Sequence, residues 1–502
     1  MSTIRRQSII SSGIVYFGFA LGALNTLLLT KQFTPAQYGL TTIFMSLANI
    51  IFPLASLGMQ SYVYKFYPYY HDNLSPKEND MMTWAFLISL MGFVLVMAGA
   101  VAFKDFVVKN FSDSSPELVA YYYWIFPFGA GLTFYSLLEA FAWQLKRSVL
   151  TSYFKEIQFR LFTFVLVMLS MAGTKLKDFD VFIKIYAFTY LLLALCLLLY
   201  LVMTRQLHFG FRASRVSRKF FKKIVALASF VWSGQVLLNV STYFGQIIIA
   251  AVVTDGMKYV GIYSLALIVG SLLQAIQRSV IAASIGPLSR AWKDKDYGRI
   301  NRIYQRSSIN QLIFSAGMFV LIWINFTDGV NTFHMKSDYL LARPIFFYVG
   351  LMRIVDMGTG VNAQIIGTST FWRFDFFTGA LLALFTLPAN YILVKEMGYI
   401  GPAIADLATF TLYNAVRCIF LYRKFRMQPF NLKSLYTLLL AALGYFICYF
   451  LFDAYQGFLW LVARSVVFIG FFGAGVLLLR LSDDVLPVWA TIKKRLGLAK
   501  IS

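Results

Sequence analysis

Stretches of about twenty apolar residues recur along this chain, separated by short polar loops. A stretch of that length crosses a bilayer as a helix, because a helix bonds every backbone polar group internally. Fourteen can be read, near 8–30, 36–62, 81–104, 117–144, 152–173, 180–203, 224–253, 258–286, 307–326, 338–366, 371–394, 399–422, 434–452 and 457–479. The third, sixth, thirteenth and fourteenth are the most uniformly apolar. Between the fourth and fifth the boundary is soft, crowded by Lys146, Arg147, Lys155, Glu156 and Arg160. The expected fold class is an all-α polytopic membrane protein.

Polar residues inside the spans fall on stripes. The second span carries Thr42, Ser46, Asn49, Pro53, Ser56 and Gln60, at alternating steps of four and three that keep them on one helical face. The seventh carries Gln235, Asn239, Tyr243 and Gln246, and the eighth Ser264, Ser271, Gln274 and Arg278. A polar face in lipid is costly, so such faces are expected to look at protein or at a water-filled cavity. Interhelical hydrogen bonding is the alternative for any single stripe.

Sliding the sequence by about 222 residues brings the first two spans onto the seventh and eighth. Gly39 then meets Gly261, Thr42 meets Ser264, Asn49 meets Ser271 and Ser56 meets Arg278. A second echo, at about 220, aligns Gln144 with Gln364. Each repeat would hold six spans. Six is even, so the two lobes would be related by a pseudo-twofold axis along the membrane normal, with a cavity between them. The expected domains are an N-lobe over 1–203, a basic cytoplasmic segment over 204–223, a C-lobe over 224–426, and an appended pair of spans with a tail over 427–502.

A net charge of +23 and a hydrophobic fraction of 59% change the picture in one respect. The charge invites a nucleic-acid partner, but its distribution fits a cytoplasmic collar facing anionic lipid, and no nucleic acid is expected. Seven lysines and arginines lie between Arg205 and Lys223, with Phe209, Phe211, Phe220 and Phe221 as interfacial anchors. Loops on the opposite side carry only scattered lysines such as Lys31, Lys104 and Lys175. The positive-inside rule therefore places both termini in the cytoplasm. Arg5 and Arg6 precede the first span with no small-residue cleavage site after it, so that span is expected to be retained.

The chemistry of an enzyme is not evident. Cys196, Cys418 and Cys448 lie inside spans with no metal spacing, and His71, His208 and His334 lie in separate loops. No nucleotide-binding or zinc motif occurs, the loops are short, and no metal or cofactor is expected. Charges within the spans are the sharper signal. Arg278 has no acidic neighbour on its helix, so it either meets an anion or snorkels. Arg353 and Asp356 are three apart and can pair with each other. Glu139 has no near partner in sequence and could balance Arg353 or Arg278 across a cavity. Arg160, Lys184, Asp375 and Asp406 lie nearer span ends and suit interfacial pairing, and Arg464 suits a structural role. Pro53, Pro127 and Pro388 fall within spans and are expected kinks or hinges. The candidate cavity residues are thus Arg278, Arg353, Glu139, Asp356, Asn49, Gln60, Gln235, Asn239 and Gln274.

One segment adds a family. LLLTKQFTPAQYGLTTIFMSLANIIFPLASLGM closes one span, turns at Pro35, Tyr38 and Gly39, and closes the next on Leu57, Gly58 and Met59. With two six-span halves and an appended pair, this resembles the Wzx-type polysaccharide flippases of the multidrug/oligosaccharidyl-lipid/polysaccharide exporter superfamily. The resemblance implies a substrate, an undecaprenyl-diphosphate-linked oligosaccharide moved to the outer leaflet of a bacterial inner membrane for O-antigen, capsule or exopolysaccharide assembly. It also implies membrane lipids and a polysaccharide polymerase as partners. An arginine fork suits a diphosphate, and Trp143, Tyr135, Tyr243 and Trp232 are candidates to stack on sugars. Lipid II flippases of the superfamily keep arginines on the first and second helices, where this chain offers Asn25 and Gln60; that departure argues against lipid II.

Two rivals remain. An ion-coupled multidrug antiporter would use acidic residues, and Glu139 and Asp356 are available. A membrane glycosyltransferase or polymerase would need acidic catalytic residues and a large outer loop, and neither is evident. The expected mechanism is alternating access, with a proton or sodium ion at Glu139 or Asp356 if one is coupled. The membrane potential, worth about 2.3 kcal/mol per charge per 100 mV, would favour outward movement of a diphosphate.

Overall fold

The computed structural model describes residues 3–484, and no strand occurs among them. Eleven helical stretches are long and apolar enough to cross a membrane. One of these, Arg373–Phe425, is two helices joined by a turn at Gly398–Ile400. Two further spans, the fifth and tenth, are interrupted helices. Together they account for fourteen, and the chain is a multi-pass, all-helical membrane protein. Its outer surface agrees: Leu95, Phe450 and Leu478 are 61%, 80% and 82% uncovered by protein, which suits lipid and not water.

The chain divides into two compact units, Met1–Gly261 and Ile262–Ser502. In the first unit the first span is Thr3–Gln32. The second, Pro35–Ser56, opens on Thr34, whose hydroxyl accepts from Gln37 N while Gln37 Oε1 accepts from Thr34 N, with Pro35 in the first turn. It stops at Leu57 and Gly58, both left-handed, and the chain resumes as Met59–Asn73. The third span is Met81–Ala102, the fourth Ile125–Gln144. The fifth runs from Ser148 to Met171 through a π-helical segment, Tyr153–Gln158. The sixth comprises Phe179–Tyr186 and Thr189–Met203. The seventh, Arg215–Val252, packs along the second span and its extension, so it belongs to this unit.

A buried carboxylate fixes where the seventh helix starts. Asp80 accepts from Trp84 Nε1 at 2.9 Å, Ser214 N at 2.9 Å and Ser217 Oγ at 2.7 Å. Ser217 Oγ also shares a hydrogen bond with Tyr70 at 2.6 Å, and Tyr62 donates to Tyr70 at 2.8 Å. Of the four anchors expected here, Phe220 packs on Phe66 and Tyr69, and Phe209 on Phe86, while Phe211 and Phe221 remain outward.

The glycines aligned by the 222-residue offset meet in space. A Cβ on Gly39 would stand 2.9 Å from Gly261 N, and one on Gly261 3.0 Å from Gly39 N. The backbones cross so closely that neither position admits a side chain.

The eighth span starts in the first unit and runs on in the second, from Gly256–Ser271 into a 3-10 turn, Leu272–Gln274, and then a second helix, Gln277–Lys293. The ninth, Tyr297–Thr332, begins at Asp296, whose carboxylate accepts from Arg299 N at 2.8 Å. The tenth is Ala342–Gly358 followed by Asn362–Gly367. Trp372–Met397 and Gly401–Phe425 are the eleventh and twelfth. The thirteenth and fourteenth, Leu432–Phe452 and Phe458–Leu478, pack on the ninth. Leu288, Ile300, Tyr304, Ile365 and Leu421 form the apolar core near the loop ends of this unit.

Of the expected kinks, Pro53 and Pro388 lie inside their helices. Pro127 is the third residue of Ile125–Gln144, just after the 3-10 turn Tyr122–Trp124 that leads into it.

Candidate functional site

Each unit has its own polar interior. In the first it lies where the fourth and fifth spans meet the first and second. Glu139 is 5% exposed, and its Oε2 is 3.5 Å from Lys155 Nζ, on the π-helical segment. Arg160, one turn further, pairs with Glu156 and donates to the Glu156 carbonyl at 2.8 Å. The expectation that Glu139 balances Arg353 or Arg278 is therefore corrected: its cation comes from the next span. A π-segment carries one extra residue per turn, which re-aims the side chains that follow it.

Arg160 is also what the first span packs against. A Cβ on Gly22 would stand 2.9 Å from Arg160 Nε, and one on Gly18 2.6 Å from Arg160 Nη1. Asn25 Nδ2 donates to the Arg160 carbonyl at 2.7 Å. Gly18 and Gly22 form a small-xxx-small notch, a signal present in the sequence but readable only once its partner is known to be an arginine.

The polar stripe of the second span turns inward more than expected. Ser46 and Ser56 are buried. Ser46 bonds Gln246 of the seventh helix, and Asn49 Nδ2 donates back to Met45 O at 2.7 Å. Gln60 Nε2 lies 3.4 Å from both Tyr64 Oη and the Ser136 carbonyl, beside Glu139. In the seventh helix Asn239 Nδ2 donates to Gln235 O at 2.8 Å, while Gln235 Oε1 is a buried acceptor without a hydrogen-bond partner. For Ser46 and Gln246 the stripes serve as interhelical packing.

The second interior is built around Asp356. Its carboxylate receives Gln277 Nε2 at 2.9 Å, Asn414 Nδ2 at 3.4 Å and Gln274 Nε2 at 3.5 Å. Asn414 Oδ1 in turn accepts from Thr359 Oγ1 at 2.9 Å and Asn362 Nδ2 at 2.8 Å. Arg353 interacts electrostatically with Asp356 and with Asp406, which Tyr263 Oη approaches at 3.5 Å. Asp375 pairs with Arg417, itself 3.9 Å from the Tyr413 ring centroid. Asp406, Asp375, Gln277 and Asn414 are interior residues that span-end position or silence in the pattern had hidden.

Arg278 stands elsewhere. The 3-10 turn ends the first part of the eighth span, so Arg278 lies exposed in the first turn of Gln277–Lys293. Amides of a first turn point outward along the axis, and a helix N-terminus favours anions. Interrupted helices with such ends are the usual furniture of transporter sites. Arg278 and the Asp356 cluster thus share one break, through Gln274 and Gln277 on either side of it.

No family model matches the sequence, and no curated protein resembles it in sequence. Solved structures do match. A structure described as "Lipid II flippase MurJ, inward closed conformation" has a TM-score of 0.72 at 14% identity, covering 95% of this chain and 100% of that one. An inward-facing multidrug resistance MATE family transporter of the MOP superfamily gives 0.62 at 12% identity, covering 83% and 98%. A MATE crystal structure in complex with MaL6 gives 0.53 at 13% identity, covering 84% and 96%. At these identities the likeness is one of fold, and the fold of this chain is that of the MOP-superfamily transporters.

Proposed function

We propose that this protein is a flippase that carries a polyprenyl-diphosphate-linked oligosaccharide from the cytoplasmic to the outer leaflet of a bacterial inner membrane by alternating access. The observation that carries the reading is the pairing of interior charges. Glu139 has Lys155, Glu156 has Arg160, Asp375 has Arg417 and Asp328 has Arg464. A pump for organic cations needs a carboxylate to offer its substrate, and these four are already matched. Arg278 lies exposed at the start of a half-helix, where backbone amides reinforce a preference for an anion. A polysaccharide polymerase as downstream partner, and cytoplasmic placement of both termini, belong to the same reading.

One observation favours the rival, an ion-coupled multidrug antiporter. Arg353 faces two carboxylates, Asp356 and Asp406. A coupling cation, if used by either kind of transporter, is best placed at Asp356.

The test is transport in proteoliposomes, offering a fluorescent polyprenyl-diphosphate oligosaccharide and, separately, a cationic dye. A charge-assisted hydrogen bond contributes about 1.5–3 kcal/mol, so Arg278→Ala should weaken the lipid-linked sugar by roughly 10- to 150-fold. Dye export that survives Arg278→Ala but fails in Asp356→Asn would replace the flippase with the antiporter.

A further inference from the structure

Four aromatic residues suggest themselves as sugar platforms, and the structure separates them. Tyr135 is fully buried and donates to the Thr151 carbonyl at 2.9 Å. Trp232 keeps its indole nitrogen buried, and Tyr243 is half-buried. Trp143, one residue from the end of the fourth span, is 46% exposed.

What Trp143 exposes matters more than how much. A tryptophan of an interfacial belt keeps its ring in lipid and turns its N–H towards wet headgroups. In Trp143 the N–H is turned inward instead. Its Nε1–H donates to Thr151 Oγ1 at 2.8 Å, within the unit. Its ring stacks on Tyr64, centroids 5.8 Å apart and planes 23° from parallel. The N–H is satisfied and one face is covered, so the surface left outward is apolar ring. Near it stand hydrogen-bonding groups: Gln60, which approaches Tyr64, and Lys155, 47% exposed and paired with the buried Glu139, an electrostatic neighbour of Tyr64. An apolar plate with an amide and an ammonium near it complements a pyranose, which has a C–H face and a hydroxyl edge.

We infer that the Trp143–Tyr64 stack, with Gln60 and Lys155, is a saccharide subsite. It rests on the flippase reading and deepens it: the sugar is held in the first unit, apart from the group that holds the diphosphate. Trp143 lies at the end of the fourth span, before Lys146 and Arg147, and Tyr64 lies in the helix Met59–Asn73 beside Lys65, on the side where a headgroup assembled in the cytosol would first be met.

Two fluorescent probes test it in proteoliposomes: a polyprenyl diphosphate bearing an oligosaccharide, and the same lipid without sugar. Trp143→Leu should raise the half-saturating concentration of the glycosylated probe by about three- to tenfold. Flipping of the sugar-free probe should be unchanged, which also shows that the variant is folded. Trp143→Phe, keeping an aromatic plate, should recover most of the loss. Wild-type protein that moves both probes, with Trp143→Leu indistinguishable from it or equally impaired on both, overturns the subsite and leaves the flippase standing. Wild-type protein that moves neither overturns the flippase, and the subsite with it.

Discussion

Removing Arg464 should loosen the fourteenth span from the ninth. Arg464 pairs with Asp328, and its Nη1 donates to the Ile324 carbonyl at 2.9 Å. The side chains of Arg464 and Asp328 are 11% and 4% exposed. In Arg464→Leu the carboxylate keeps only the Gly457 amide, at 2.9 Å. Breaking a buried pair from one side costs about 3–5 kcal/mol, because the remaining charge is stranded. The neighbouring Asn325–Ser465 bond, at 2.9 Å, cannot compensate, since interhelical hydrogen bonds in membranes average about 0.6 kcal/mol. At a factor of ten per 1.4 kcal/mol, the open fraction should rise by about two to three and a half orders of magnitude. A reporter is built in: Cys448 is 1% exposed, with its Sγ 3.8 Å from the Arg464 carbonyl. With Cys196 and Cys418 changed to Ser, the rate of maleimide labelling at Cys448 reads the opening of this helix pair. The double variant, Arg464→Leu with Asp328→Leu, should label far more slowly than the two single losses would give by addition. Labelling at the wild-type rate in Arg464→Leu, or simple additivity, would refute the argument.

Two further outcomes are expected. A Cβ on Gly18 would meet the Glu156 carbonyl at 2.7 Å, whereas one on Gly22 would meet only the Arg160 side chain. Gly18→Ala should therefore destabilise the protein by about 1–3 kcal/mol in a detergent thermal-unfolding assay and Gly22→Ala by less, with Arg160→Ala relieving Gly22→Ala alone; equal effects would argue against the notch. Asp484 is held below its usual value of 3.8 mainly by the hydrogen bond from Arg306, at 2.6 Å from its Nε, with help from Asn310. A depressed carboxylate lends its docking energy above the unfolded value and loses it as pH falls through the folded one. The mobility of a spin label at Asp483 should thus stay constant from pH 8 to about 5 and rise only below about 4, and a rise already at pH 6 would contradict the assignment.

Hydropathy made the architecture legible, because a membrane demands long apolar helices and little else mimics them. The offset that aligned Gly39 with Gly261 also located a real contact. The interruptions were not legible. Leu57–Gly58, Leu272–Gln274 and Thr359–Val361 are two or three residues long inside largely apolar stretches, so a hydropathy window runs across them. Charge partners were half legible. Spacing pointed to Arg353 with Asp356, which do interact, but gave no reason to send Lys155 to Glu139, because a π-segment shifts the register by which such pairs are counted. Side-chain direction was the least accessible property: Tyr135 and Trp143 look alike as candidates, and only their hydrogen bonds tell a packing residue from an exposed plate.

The notch of Gly18 and Gly22 has a consequence for how the protein is made. Its occupant lies far downstream, 135 residues separating Asn25 from the Arg160 carbonyl it binds. At about 5–20 residues per second, translation needs roughly 7–27 seconds to supply that partner. During this interval the first span is already in the bilayer, with two glycines and an asparagine facing lipid or whatever protein escorts it. This helix thus waits for the fifth span before it is locked in place, and an insertase that shelters a polar helix face would set the pace of assembly for this whole unit.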